Sequence, residues 1–161
     1  MAGLKDALPD IHLVRRVITR DPGLGGEDYD AVTVAQFDAM KAQGVFAVHW
    51  GAHGLFYGIP ATVLDTIKGG RDCLANFSRG ALSEAATLFP KVLVLNLTAT
   101  PETLHCRLRD RGRETDGDIA RRLAQASKPL PSGVDVVTVA NDGALSDTVT
   151  AATAALQADR S

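Results

Sequence analysis

Six of the chain's twelve arginines lie within the sixteen residues from 107 to 122. Carboxylates at positions 110, 114, 116 and 118 are interleaved with them, so the segment is not a plain basic tail. A guanidinium carries a permanent charge and a planar fork of donors that matches two phosphate oxygens at once. Glycines at 112 and 117 predict a break between two helical arms. The segment predicts an arginine-bearing helical hairpin that closes over phosphates, with a solvated helix laced by i,i+4 ion pairs as the alternative.

The composition is that of an ordinary soluble globular protein. With 161 residues, 45% hydrophobic and 22% charged, the chain is expected to form one domain spanning 1–161. A formal net charge of −2 argues against nucleic acid as a partner, so an anion site must be a local concentration of charge. No apolar run is long enough for a membrane span or an export signal, and Cys73 and Cys106 lack metal-ligand spacing. We expect a cytoplasmic protein without a membrane partner.

Segments with strand and helix patterns alternate along the chain, which predicts a three-layer α/β domain on a mostly parallel sheet. Thr33 and Thr100 are expected N-caps, and Pro60 and Pro101 are expected in the first turns of helices. The predicted helices cover 3–8, 34–43, 60–68, 80–88, 145–157 and the residues from 101 into the arginine-rich segment. The predicted strands cover 12–18, 45–50, 55–57, 72–77, 91–97 and 134–139, with a hairpin joining the second to the third.

Polar and basic residues collect where the predicted strands end. In a parallel sheet the ligand lies beyond the carboxyl ends of the strands. The loops that begin at Thr19, Asn76 and Thr98, and the turn at Asn141, would all open there. We therefore expect a site for a phosphorylated ligand at this edge of the sheet.

Seven short segments stand in the order seen in the guanylate-kinase-like branch of the P-loop kinases. They are I-T-R-D-P at 18–22, D-Y at 28–29, Q-F at 36–37, G-L-F-Y-G at 54–58, R-L-R-D-R-G-R-E at 107–114, R-R-L at 121–123 and N-D at 141–142. Over nearly its whole length the chain resembles this branch, and within it most resembles the ribose 1,5-bisphosphate phosphokinase family. The resemblance implies a P-loop-kinase-like fold with a helical lid at about 107–127. It also implies ATP- and Mg²⁺-dependent phosphorylation of ribose 1,5-bisphosphate to 5-phosphoribosyl 1-diphosphate in phosphonate catabolism.

The departures from true guanylate kinases favour this narrower resemblance. Guanylate kinases resemble one another in carrying a glutamate that recognises the guanine base. The matching position in this chain is Val48 or a neighbouring residue. Their two strand-end aspartates are also missing, because the matching segment reads L-A-N-F-S-R-G at 74–80, and Gly23 replaces their second acceptor arginine. Guanine N–H groups would then be buried unpaired, which rejects the base. A nucleoside monophosphate kinase and a non-catalytic binding module remain the alternatives.

The resemblance also implies roles for individual residues. Arg20 would hold the acceptor phosphate, with a surface arginine beside a turn as the alternative. For Tyr29 and Tyr57 the alternative is core packing, which is strong for Tyr57 in so apolar a segment. The implied acceptor-binding residues are Arg20, Tyr29, Tyr57, Asn76, Ser78 and Arg79. The implied catalytic arginines of the lid are Arg107, Arg111 and Arg122, the implied nucleotide-binding residues are Arg107, Asn141 and Asp142, and no metal ligand is implied.

Kinases of this class begin with a strand and a G-x-x-x-x-G-K-[S/T] loop. Its backbone N–H groups and lysine hold the ATP phosphates, and its hydroxyl binds Mg²⁺. The 161 residues contain no such motif. Their first residues resemble the tail of the helix that follows the loop, and Lys5 lies too far along that helix to substitute. Two explanations stay open: a mis-assigned start codon in a normal enzyme, which we favour, or a truncated and inactive form.

We predict in-frame codons for a strand and a G-x-x-x-x-G-K-[S/T] loop just upstream of Met1. Sequencing of that region checks this, and stop codons in the same frame would contradict it. The 161-residue chain itself should show little or no kinase turnover, because the loop supplies the groups that hold the ATP phosphates. Measurable turnover by this chain would show that its phosphates are held in another way.

Overall fold

The computed structural model describes residues 1–23, 26–110, 117 and 129–159. Strands and helices alternate along these residues, as the α/β prediction requires. The chain divides into two units, Met1–Val92 and Leu93–Ser161. The single domain predicted for 1–161 stays a prediction, and most of the predicted lid lies outside the described residues.

The first unit combines a four-stranded mixed sheet with a separate parallel pair of strands. The strand order in the larger sheet is β3-β2-β5-β4, and β1 pairs with β6. The strands are β1 (His12–Leu13), β2 (Arg16–Ile18), β3 (Tyr29–Ala31), β4 (Phe46–Ala52), β5 (Leu55–Pro60) and β6 (Cys73–Leu74). The helices are α1 (Ala2–Ala7), α2 (Val34–Ala42), α3 (Thr62–Lys68) and α4 (Leu82–Leu88), with a 3₁₀ turn at Arg79–Ala81.

Strand β2 lies inside the larger sheet, with β3 parallel on one side and β5 antiparallel on the other. Arg16 of β2 stands opposite Tyr29 of β3. Strands β4 and β5 form the predicted hairpin, whose turn contains His53 and Gly54 at φ values of 54° and 76°. Two successive residues at positive φ match the twist of a tight hairpin. Strand β2 therefore brings side chains from three strands close together.

The single strand predicted for 12–18 is wrong, because β1 and β2 belong to different sheets. Between them, Val14 is buried and its N–H donates to the last carbonyl of β6 at 2.9 Å. The Arg15 side chain is exposed and pairs with Asp28 and Asp30 at 3.2 and 2.7 Å. These two anchors turn the chain from one sheet into the next, and both depend on residues distant in sequence.

Three further boundaries differ from the prediction. Pro60 was expected in a helix but ends β5 opposite Phe46, where its missing N–H is tolerated at a strand end. The strand predicted for 72–77 forms a ladder only at Cys73–Leu74. The short strand Tyr29–Ala31 was not predicted, because its half-buried and exposed side chains show no apolar alternation.

The predicted N-cap of α2 is confirmed. Thr33 Oγ1 accepts from the Gln36 N–H at 3.2 Å, and Gln36 Oε1 accepts from the Thr33 N–H at 2.9 Å, which completes a capping box. Phe37 in the next turn is 2% exposed. Its ring stacks on Phe46 and Phe56 with centroids 4.6 and 5.7 Å apart. Helix α2 therefore packs on the hairpin through an aromatic cluster.

The second unit is built on a parallel pair of strands, so three of the five strand pairings in the described ranges are parallel. The predicted Thr100 N-cap is confirmed, because its Oγ1 accepts from the Thr103 N–H at 3.2 Å. No helix in the described part of the chain is long and apolar enough to span a membrane. The elements are β7 (Leu93–Thr98), α5 (Pro101–Asp110), β8 (Asp135–Ala140) and α6 (Leu145–Ala158).

Gly58 of β5 has no room for a side chain. A Cβ there would lie 2.5 Å from the Phe46 ring atoms Cδ1 and Cε1, so the ring would have to move. We predict that Gly58→Ala lowers the free energy of unfolding by about 1–3 kcal/mol through overpacking. Gly51→Ala is the control, because its Cβ would meet the Phe56 ring at an ordinary 3.5 Å. Urea unfolding of both variants checks this, and equal losses would contradict it.

Candidate functional site

Strand β2 carries an arginine into the interior of the first unit. Val14 and Arg16 stand two residues apart along an extended chain, and only 4% and 8% of their surfaces are exposed. The intervening Arg15 faces solvent, as the alternation of an extended backbone requires. A charged side chain is almost never buried to this depth unless it is paired.

Glu27 supplies the opposite charge. Arg16 Nε donates to Glu27 Oε2 at 3.0 Å and Arg16 Nη2 donates to Glu27 Oε1, which forms a bidentate pair. Arg16 Nη1 donates to the Asn76 backbone oxygen at 3.2 Å, and Asn76 Nδ2 donates to Glu27 Oε2 at 3.2 Å. This triad of Arg16, Glu27 and Asn76 joins β2, the residues before β3 and the residues after β6.

Aromatic rings cover the other side of Arg16. Its Cζ lies 4.9 Å from the centroid of the Tyr57 ring and 5.8 Å from that of Trp50, within the range of cation–π attraction. Trp50 stacks on Tyr57 and on Phe77 with centroids 5.6 and 5.4 Å apart. Tyr57 was predicted to bind the acceptor, and these contacts favour its packing alternative.

A cleft of about 250 Å³ opens beside Glu27. Arg20 Cζ lies 4.2 Å from the centroid of the Tyr29 ring, so this aromatic face holds the guanidinium. The Tyr29 hydroxyl donates to the Asp21 backbone oxygen at 2.5 Å, which anchors the loop after β2. Tyr29 therefore positions Arg20 and this loop. The residues that line the cleft are Pro22, Gly23, Glu27, Asp28 and Tyr29.

The predicted acceptor residues are distributed around these two features. Tyr29 lines the cleft and holds Arg20, and Asn76 belongs to the triad beside it. Ser78 is the N-cap residue of the 3₁₀ turn that follows, and Arg79 is the first residue of that turn. Both are half-buried and follow Asn76 directly along the chain.

In the second unit, Arg107 binds the turn that follows β8. Its Nη1 donates to the Asn141 backbone oxygen at 2.5 Å, and its Nη2 donates to the Gly143 backbone oxygen at 3.3 Å. The buried Thr148 donates from Oγ1 to Asn141 Oδ1 at 3.0 Å. The predicted nucleotide residues Arg107 and Asn141 are therefore in direct contact, and α5 and α6 both hold the turn.

Asp142 joins the same turn to the start of α5. Its Oδ1 accepts from the Thr100 N–H at 2.7 Å. This backbone hydrogen bond, followed by one from the Thr103 side chain, lowers the pKa of the Asp142 carboxyl below its ordinary value of 3.8. Asp142 therefore stays ionised at neutral pH and accepts hydrogen bonds at the helix N-terminus.

Two predicted lid arginines, Arg111 and Arg122, lie outside the described residues. Lys5 Nζ donates to the backbone oxygens of Pro9 and Ile11 at 2.5 and 2.8 Å, so it closes the end of α1. Among the described residues, no group of three or more His, Cys, Asp or Glu side chains could hold a metal ion.

Neither Arg16 nor Glu27 was predicted from the sequence as a functional residue. A signal for Arg16 was present, because successive side chains of a strand point to opposite faces, so one of two adjacent arginines faces the core wherever one face of the sheet is covered. Glu27 carried no comparable signal, since it follows a glycine-rich loop and its partner is eleven residues away. Only the tertiary pairing of β2 with β3 brings the two together.

No protein-family profile matches the chain. It is 47% identical over 161 residues to ribose 1,5-bisphosphate phosphokinase PhnN of Ruegeria sp. (strain TM1040), covering 99% of this chain and 85% of that protein. It is 46% identical over 139 residues to the protein of the same name from Agrobacterium fabrum (strain C58 / ATCC 33970), covering 86% and 76%. Among solved structures, guanylate kinase from Anaplasma phagocytophilum is similar, with a TM-score of 0.72, 19% identity and coverage of 98% and 81%. The structural likeness confirms the predicted guanylate-kinase-like fold.

Arg16 in β2 and Arg15 just before it provide a matched test of how burial affects the contribution of an ion pair to stability. Arg16→Met should lower the free energy of unfolding by about 3–5 kcal/mol, because it leaves the Glu27 charge buried and unpaired. Arg15→Met should change it by about 0–1 kcal/mol, since its partners Asp28 and Asp30 are mostly exposed. Chemical denaturation of both variants measures the difference. Similar losses would show that the buried pair has no special role.

Proposed function

The chain belongs to the ribose 1,5-bisphosphate phosphokinase family, and on this basis we propose that it transfers the γ-phosphoryl group of ATP to ribose 1,5-bisphosphate. An oxygen of the 1-phosphate attacks the γ-phosphorus, and the bond from that phosphorus to the departing ADP breaks. The products are 5-phosphoribosyl 1-diphosphate and ADP. We place this reaction in phosphonate catabolism in the cytoplasm, with a small phosphorylated sugar and ATP as the partners.

The observation that carries the proposal is the guanidinium of Arg20, held 4.2 Å from the centroid of the Tyr29 ring, which itself lines the cleft. Two anions repel one another when a phosphate attacks ATP. A fixed guanidinium offsets that repulsion and orients the attacking oxygen, and phosphoryl transfer depends mainly on such positioning and charge neutralisation. Arg20 is therefore the residue to which we assign the acceptor phosphate.

A sugar phosphate fits the first unit better than a guanine nucleotide does. Guanylate kinases resemble one another in a glutamate that hydrogen-bonds the guanine base. The matching region here contains Val48, an apolar side chain that is fully buried. The N–H groups of a guanine base would then lack partners, which disfavours the base. Ser78 and Arg79 complete our proposed acceptor set.

In the second unit we assign Arg107, Asn141 and Asp142 to the adenine side of ATP. Arg107 is fixed by two backbone carbonyls, so its planar guanidinium can stack on a base. Thr148 occupies the Asn141 side-chain oxygen and leaves the amide N–H₂ to donate. These contacts favour a nucleotide-positioning role for Arg107 over one on the transferring phosphoryl group. That second role falls to Arg111 and Arg122 in our proposal.

We propose that Mg²⁺ accompanies the nucleotide phosphates, where it would neutralise developing charge. The described residues offer no cluster of ligands for it. In our proposal the residues of this chain bind and orient the two substrates.

The test offers ATP with ribose 1,5-bisphosphate or with GMP to the chain extended by any in-frame codons that precede Met1. We expect 5-phosphoribosyl 1-diphosphate to form, and we expect Arg20→Ala or Arg79→Ala to lower kcat/KM about 100-fold by misplacing the acceptor. Arg71→Ala is the control, because Arg71 is exposed and its Nε donates to the Asp10 backbone oxygen, and neither residue lines the cleft.

Phosphorylation of GMP in place of the sugar would overturn the proposal and favour a nucleoside monophosphate kinase. Lack of turnover with either acceptor would favour a non-catalytic binding module. Equal losses in Arg20→Ala and Arg71→Ala would remove Arg20 from the acceptor site.

A further inference from the structure

Glu27 lies where the buried ion pair meets the cleft. Its side chain is 17% exposed and belongs to the cleft lining, beside Tyr29. Arg16 grips both carboxylate oxygens, and Asn76 donates to one of them. A carboxylate held in this way cannot rotate freely, so it presents a fixed acceptor to whatever occupies the cleft.

The hydrogen bonds of Glu27 leave acceptor capacity unused. An ionised carboxylate has about four acceptor positions. Among the donors in the described part of the chain, Arg16 Nε and Asn76 Nδ2 reach Oε2, and Arg16 Nη2 reaches Oε1. Oε1 therefore keeps a position for a further donor.

We propose that Glu27 determines specificity by accepting a hydrogen bond from a ring hydroxyl of the sugar. This inference rests on the proposed function, whose acceptor carries hydroxyls as well as phosphates. A phosphate oxygen cannot take the place of the hydroxyl, because it has no proton to donate and carries the same charge as Glu27.

The partnership with Arg16 explains how a carboxylate can stand in a cleft for an anionic sugar. A lone carboxylate would repel both phosphates of the substrate. The Arg16 guanidinium offsets that charge from inside, so the pair is neutral as a whole. Arg20 can then attract a phosphate while Glu27 accepts a hydrogen bond from a hydroxyl of the same ligand.

The first experiment compares the binding of three sugars to the unsubstituted 161-residue chain. The probes are ribose 5-phosphate, 2-deoxyribose 5-phosphate and 3-deoxyribose 5-phosphate. Trp50 is the chain's single tryptophan and lies 5.8 Å from Arg16, so its fluorescence can report occupancy. We expect at least one deoxy sugar to bind about tenfold more weakly, because it leaves Glu27 Oε1 unpaired. Equal affinities, or no binding of any of the three, would overturn the proposal.

The second experiment asks whether Glu27 causes the discrimination. Glu27→Gln removes the charge and replaces one oxygen by a donor. It should bring the roughly tenfold preference for ribose 5-phosphate over the discriminated deoxy sugar close to one, because that preference depends on the hydrogen bond to the carboxylate. The lost charge acts on the phosphate that all three sugars share, so it does not alter this ratio. Asp30→Asn is the matched control, because Asp30 pairs with Arg15 but is 53% exposed and is not among the residues that line the cleft. It should keep the full discrimination.

An equal loss for all three sugars in Glu27→Gln would indicate a purely structural role and overturn the proposal. Circular dichroism checks that this variant folds, and the comparison of sugars on the unsubstituted chain decides the proposal without it. The binding assay contains no ATP, so it is independent of the reaction. Turnover of GMP would end the proposed function alone, whereas equal binding of the three sugars would end this inference alone.

Discussion

An arginine that loses its hydration inside a protein must find a carboxylate and further acceptors, or the structure around it is strongly destabilised. Arg16 meets this requirement through Glu27 and the Asn76 backbone, with Tyr57 and Trp50 over its guanidinium. Glu27 is eleven residues from Arg16 in sequence, and Asn76 is 60 residues from it. Their mutual bonds hold the residues before β3 and after β6 against β2. The cleft and the Arg20–Tyr29 contact lie beside this junction, so the proposed acceptor site depends on it.

The sequence predicted correctly those features of the fold that depend on residues close together in the chain. The capping box at Thr33, the N-cap at Thr100 and the turn at His53–Gly54 each depend on residues three or four positions apart. The strand predicted for 12–18 failed because its division depends on β6 and on carboxylates after residue 27. The assignment of Pro60 to a helix was wrong because both the first turn of a helix and the end of a strand tolerate a residue without an N–H.

The candidate site could be predicted by residue type but not by arrangement. Arg20, Tyr29 and Asn76 were predicted from the family resemblance to bind the acceptor, and in the structure they lie around one cleft and its neighbouring triad. Arg107, Asn141 and Asp142 were identified for the nucleotide, and they meet at one turn of the second unit. The sequence did not predict that the side chains of Tyr29 and Arg107 donate hydrogen bonds to backbone oxygens. It also did not predict that Glu27 borders the cleft. Those facts depend on tertiary hydrogen bonds, which carry no periodic signal.

The most direct measurement is a double-substitution cycle on Arg16 and Glu27, read both by unfolding and by the binding of ribose 5-phosphate. Arg16→Met combined with Glu27→Leu should recover most of the stability that Arg16→Met loses alone, because no buried charge is then left unpaired. Binding of ribose 5-phosphate should remain weak in the double variant, since the Glu27 carboxylate is no longer there to accept from the sugar hydroxyl. A double variant that binds this sugar as tightly as the unsubstituted chain would contradict the role given to the pair.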